Sequence, residues 1–179
     1  MRVLVLFFIL LICSCAETTS QQAKDVDRAK LLADLKSLEQ KLENDKSAKI
    51  DTTLAKQMIE KSIAFVKAFP KDSLSGSYLF RAADVSVGVG EYQLAIDYWE
   101  QMQEQYKEHE KAPIALFFQG FTCENNLKDK TKASAYYQAF LSKYPNHQYA
   151  DQIKLLLEQM DKTDEELIKE FKKRQESNG

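Results

Sequence analysis

Glycine and proline are scarce: the chain has 5 Gly and 3 Pro in 179 residues. Breakers that rare leave few places for tight β-turns, and no long β-branched run argues for strands. Ala, Leu, Lys, Glu and Gln are abundant instead, which favours an all-helical protein. Histidine and cysteine are scarcer still, at 2 and 3. No paired Cys/His spacing suits zinc. His109 and His147 stand apart on charged or polar stretches and read as surface residues. There is no glycine-rich phosphate loop and no nucleophile elbow. Carboxylates are plentiful but scattered at helix-surface spacing, as on solvated faces. No catalytic residue, metal or cofactor is therefore expected, and the chain reads as a non-enzyme. Charge of one sign is also lacking: 25 basic residues meet 27 acidic ones, for a formal net charge of -2. That balance gives no electrostatic reason to expect DNA or RNA.

One long hydrophobic run is present. Val3 to Ile12 is ten apolar residues without interruption, after a basic Arg2. The run is too short to span a bilayer as a stable helix and right for a signal-peptide core. It ends at Ile12-Cys13-Ser14-Cys15, which resembles the lipobox of bacterial lipoproteins. The resemblance implies cleavage after residue 14 and lipidation of Cys15. Acyl chains there, palmitate among them, at ~0.8 kcal/mol per buried CH₂ would hold the protein durably on a bilayer. Loss of Arg2 would leave 24 basic residues against 27 acidic. The other reading is an ordinary secretory signal with two incidental cysteines. Residues 15–24 are Thr-, Ser- and Gln-rich without apolar periodicity and read as a flexible tether. By resemblance to lipoprotein sorting rules, Ala16 in second place implies the outer membrane, facing the periplasm because no acidic export run follows Cys15.

The mature chain reads as a string of helices over 25–171, followed by a polar tail at 172–179. Asp25–Asp45 carries Leu31, Leu35, Leu38 and Leu42 at alternating spacings of 4 and 3. That is an a/d seam, open to packing within the chain or to homo-oligomerisation. Asp51–Phe69 follows, capped by Asp51 or Thr52. The next helix, capped by Asp72 or Ser73, runs to about Val87, and Gly88 and Gly90 make a turn into Glu91–Tyr106. Pro113–Asn126 and Lys132–Tyr144 form a further pair. His147–Met160 covers the open end. Thr163 and Glu166 make a capping box for a last helix with Leu167, Ile168 and Phe171 on its apolar face.

These helices repeat. Ala95 and Ala133 lie 38 apart, as do Trp99 and Tyr137, while Phe69, Tyr106 and Tyr144 are spaced 37 and then 38. A fixed period in this range means stacked copies of one supersecondary unit. Leu79, Ala82, Ala83, Ala95, Trp99 and Lys107, then Leu116, Gly120, Ala133, Tyr137 and Pro145, fall on the positions that mark a tetratricopeptide repeat. The chain resembles that family over roughly Asp51 to Phe171, and its longer period is similar to that of bacterial envelope lipoproteins of the outer-membrane assembly type and of periplasmic proteins of the cell-division coordinator type. The stretch Ala115–Ala150 and the ending Asp164-Glu165-Glu166-Leu167-Ile168 look like small tetratricopeptide lipoproteins of the Bacteroidota. Three positions depart from the pattern: Gln119 stands where leucine is usual, Lys107 replaces proline, and the turn after Asn126 is a residue longer.

The resemblance implies an all-α, tetratricopeptide-type α-solenoid of about three helical hairpins with capping C-terminal helices. It also implies a concave groove lined by the first helix of each pair. Carried over by position, Ser77, Phe80, Asp84 and Val87 face that groove from one repeat. Ile114, Phe117, Phe121, Glu124 and Asn125 face it from the next. Phe80, Phe117 and Phe121 beside Asp84, Glu124 and Asn125 suit a peptide segment of another envelope protein. The other reading makes the phenylalanines core. Cys123 falls near a packing position and reads as a small buried residue. Asp51-Thr52-Thr53 and Asp72-Ser73-Leu74 resemble the O-glycan acceptor pattern of Bacteroidota, and also serve as helix caps. The function expected is a membrane-anchored protein–protein interaction scaffold. The alternative is a structural assembly subunit that oligomerises through the Leu31–Leu42 helix.

Overall fold

The computed structural model describes residues 25, 27–45, 50–160, 162 and 164–177. The signal-like segment 1–14, Cys15, the tether 16–24 and Thr163 lie outside the described residues. Among the described residues all regular structure is α-helical: α1 over 27–44, α2 Thr52–Ala68, α3 Ser75–Gly88, α4 Tyr92–Gln105, α5 Ala112–Asn125, α6 Lys130–Lys143, α7 Ala150–Met160 and α8 Asp164–Ser177. No helix among them is long and apolar enough to cross a membrane. Contacts divide the chain into two compact units, one up to Tyr78 and one from Leu79 onward.

In the first unit, α2 begins where Asp51 accepts hydrogen bonds from the backbone N–H groups of Thr53 (2.8 Å) and Leu54 (3.1 Å). A carboxylate at this place satisfies donors that no preceding turn can reach. The helix buries Ala55, Met58, Ile59, Ser62, Phe65 and Val66, spaced by three and four so that they share a face. Leu35 and Leu38 of α1 are buried within the single chain, and Lys61 of α2 pairs with Asp34 of α1 at 2.8 Å. Phe65 packs edge-on against Tyr78 with ring centroids 5.2 Å apart. Asp72 ends the connection to α3: it accepts from the Leu74 N–H at 2.9 Å and from the Arg28 guanidinium.

The second unit is a series of helices in which α4 packs on α5, α5 on α6 and α6 on α7. Small buried residues at Ala82, Ala83, Ala95, Ala115 and Ala133 let the helix axes approach, and Trp99, Leu116, Tyr137, Phe140 and Ile153 fill the spaces between. The α3–α4 turn closes on Gly90, whose φ of +83° is open to a residue without Cβ. The longer α5–α6 turn solves the same problem with Lys128 at φ 57°, after which Asp129 caps α6 by accepting from Lys132 N–H at 2.9 Å.

Helix limits differ from the sequence expectation at both ends. α7 starts at Ala150 because 147–149 form a turn, α5 starts one residue before Pro113, and α8 continues through Ser177, past Phe171. Hydrophobic periodicity locates a helix, whereas its first and last residues are set by the local geometry of the flanking turn.

One turn geometry recurs. In the 69–75 turn the Asp72 N–H donates to Phe69 O and the Ser75 N–H to Asp72 O. In the 106–112 turn His109 donates to Tyr106 O and Ala112 to His109 O, and in the 144–150 turn His147 donates to Tyr144 O and Ala150 to His147 O. The three turns are copies at the 37- and 38-residue period.

Candidate functional site

The aromatic residues of α3 and α5 form a connected ladder. Phe80 of α3 stands 6.5 Å from the Trp99 ring of α4 and 6.1 Å from Phe118 of α5. Phe118 continues to Trp99 at 5.6 Å and to Phe117 at 5.6 Å. Phe117 then meets Phe121 at 6.0 Å, Tyr149 at 5.9 Å and Tyr137 of α6 at 6.1 Å. The Lys111 ammonium lies over the Phe80 face, 5.2 Å from its centroid, a cation–π contact.

The ladder is anchored by a slot in α5. A Cβ on Gly120 would stand 2.5 Å from Cε1 of Tyr137, so only glycine admits this fully buried ring. One helical turn on, Glu124 accepts the Tyr137 hydroxyl at 2.9 Å. Beside it, the Tyr136 hydroxyl donates to Glu100 of α4 at 2.6 Å. Burial, and then the hydrogen bond to a carboxylate, push both phenols well above the ordinary tyrosine value, so both remain donors across the physiological range. The Cys123 thiol is fully buried and raised by desolvation, which makes it a packing group rather than a nucleophile.

The six groove residues thus have different fates. Phe80 and Phe117 are half-buried and belong largely to the ladder. Glu124 is engaged with Tyr137, and Asn125 donates to Phe121 O of its own helix at 3.0 Å. Asp84 is exposed on α3. Phe121 is 45% exposed and meets the ladder at Phe117. The structure adds one residue of the capping helix. Leu155 of α7 is 56% exposed, while Ile153 on the same helix is fully buried. Phe80, Phe117 and Leu155 are one register position at the 37- and 38-residue period, and that spacing was a signal capable of finding it.

Both histidines also differ from the surface reading. Each is half-buried, and each uses Nδ1 to accept a backbone N–H: His109 from Lys111 at 3.1 Å, His147 from Tyr149 at 3.3 Å. Asp72 does the same with a carboxylate oxygen. The reason is positional, since a turn of this shape aims one orphan N–H at the side chain two residues earlier.

Separately, the first unit holds a cleft of about 450 Å³ between α1 and α2, floored by Leu31 and Phe69 and rimmed by Asp27, Lys30, Asp34 and Lys61. Among the described residues no group of three His, Cys, Asp or Glu side chains converges as a metal site requires.

Searches of protein-family models and of curated proteins return no match for the chain.

Proposed function

We propose that this chain is a lipid-anchored, tetratricopeptide-type scaffold of the cell envelope that binds a partner protein through the α5–α7 face. The carrying observation is Phe121, a large aromatic left 45% exposed at the edge of an otherwise packed ladder, with exposed Leu155 on the next first-of-pair helix. An aromatic held by rigid neighbours adds contact area without an ordering cost, as binding anchors do. The occupant suited to it is a peptide segment that presents an apolar side chain to Phe121 and Leu155, with Asp84 available at the polar margin. The scaffold acts by holding its partner at the membrane, without turnover. Anchoring rests on the lipobox-like Ile12-Cys13-Ser14-Cys15, and Ala16 with no acidic run after Cys15 supports an outer-membrane position facing the periplasm.

The alternative of an assembly subunit oligomerising through α1 is less well supported, because Leu35 and Leu38 are already buried inside one chain. Crosslinking in intact cells followed by mass spectrometry tests the leading reading. Wild type is expected to capture one envelope protein, and Phe121→Ala/Leu155→Ala to lose it while keeping its helical signal. An unchanged captured set would remove this face from consideration. Loss of membrane association and of acyl labelling in Cys15→Ala is the expected result for the anchor.

A further inference from the structure

We propose that the turns entering α5 and α7 are acid-released clamps, in which the neutral imidazoles of His109 and His147 hold the Lys111 and Tyr149 backbone N–H groups and let them go on protonation. An N–H can donate to Nδ1 if that nitrogen keeps its lone pair, so both rings carry their proton on Nε2. A second proton turns Nδ1 into a donor facing a donor. It also puts a positive charge at the N-terminal end of a helix, where the macrodipole disfavours it. The equivalent turn into α3 is the internal control: there Asp72 accepts the Leu74 N–H, and a carboxylate held by Arg28 stays an acceptor throughout the range in which histidine titrates.

The clamped residues are the ones seated on the aromatic ladder. Lys111, held by His109, lays its ammonium over Phe80. Tyr149, held by His147, packs its ring 5.9 Å from Phe117 and 5.3 Å from the His147 ring itself. Release of the Tyr149 N–H therefore loosens a ring that packs on the α5–α7 face, and release of the Lys111 N–H loosens the cation that covers Phe80 of α3.

Burial pushes the His109 imidazole below the ordinary histidine value, with Glu110 opposing and Lys111 assisting to a smaller extent. His147 faces the Phe140 ring of α6, edge-on at 5.3 Å, and the Tyr149 ring, neither of them charged. Asp151 in the first turn of α7 is engaged by Lys154 at 2.9 Å. The clamps stand independently of the proposed function; their effect on partner binding rests on it.

The test is NMR of the full chain with labelled imidazoles and amides, together with thermal unfolding, between pH 7.5 and 5.5. At the upper pH both imidazoles are expected as the Nε2–H tautomer. On acidification the Lys111 and Tyr149 amide protons should move upfield in step with their imidazoles while the Leu74 amide stays in place. Two caps lost should lower the unfolding midpoint by about 5 °C. His109→Asp/His147→Asp, which copies the Asp72 turn, should abolish most of that fall. A Nδ1–H tautomer at either ring, or amide shifts that ignore the imidazole titration, would overturn the proposal. So would a double variant that folds and keeps the full acid sensitivity; should it not fold, the tautomers and amide shifts of wild type decide.

Discussion

Gly120→Ala puts the Tyr137 slot to the test. On an open helix face this change stabilises by ~1 kcal/mol through helix propensity. Here the added methyl would stand 2.5 and 2.6 Å from Cε1 and Cδ1 of Tyr137, whereas 3.4–4 Å is ordinary contact. The ring has to retreat by roughly 1 Å into an interior packed as densely as an organic crystal. Tyr137 has no exposure and cannot swing outward. Overpacking of this kind costs ~1–3 kcal/mol. The hydroxyl bond to part-exposed Glu124 is lost as well, for about 1 kcal/mol. Against the propensity gain the net loss is about 2 kcal/mol, or a midpoint lower by about 4–8 °C for a chain of this size. Urea and thermal unfolding followed by circular dichroism read it directly. Tyr137→Leu makes room for the methyl, so Gly120→Ala/Tyr137→Leu should cost less than the sum of the single changes, with a coupling of about 1 kcal/mol. A Gly120→Ala protein as stable as wild type, or strict additivity in the pair, would show that Tyr137 does not occupy the slot.

Gln119→Leu should stabilise by about 1 kcal/mol in the same urea assay, since a buried amide that is poorly satisfied gives less than an apolar group of similar size. Gln119 is 1% exposed, reaches Ile96 O at a long 3.4 Å and leaves Oε1 without a hydrogen-bond partner among the described residues. A loss of stability would mean that its oxygen is satisfied. Leu35→Ala should cost ~2–5 kcal/mol by opening a cavity in the first unit, with an unchanged mass in light scattering; a drop in mass at constant stability would return α1 to the role of an oligomer seam. The Arg28 guanidinium beside Asp72, aided by the Leu74 N–H, holds the Asp72 carboxyl below the ordinary carboxylate value. Its contribution is therefore full above about pH 4 and lost as pH falls through the lower native value. Asp72→Asn should flatten that acid limb of the stability profile and leave the range above it parallel to wild type.

Residues that sit at 3.6-residue spacing could be read directly. Met58, Ile59, Phe65 and Val66 on α2 and Ala95 and Trp99 on α4 are buried as their periodicity implies, because which face of a helix is apolar is a local property. The repeat was legible too, since Phe69, Tyr106 and Tyr144 recur at nearly constant spacing. The candidate site was legible only in part. Phe80, Phe117 and Phe121 look alike in sequence, yet two are half-buried within the ladder and one is 45% exposed at its edge. That difference depends on Trp99, Tyr137 and Tyr149, which come from other helices and turns. Leu155 lies among the apolar residues Ala150, Ile153, Leu156, Leu157 and Met160 of α7, and its exposure follows from which of them pack against Tyr137 and Phe140 of α6.

Composition and periodicity alone determined that the chain is helical, that its hairpins repeat and where their turns fall. Each of these follows from backbone preference and from the burial of one apolar face, both encoded within a few residues. Tertiary structure decided which aromatics remain available to a partner, that Gly120 is shaped to the Tyr137 ring, and that His109 and His147 do the work of Asp72. Those outcomes depend on where a second helix places its atoms to within an ångström, and no local pattern carries that information.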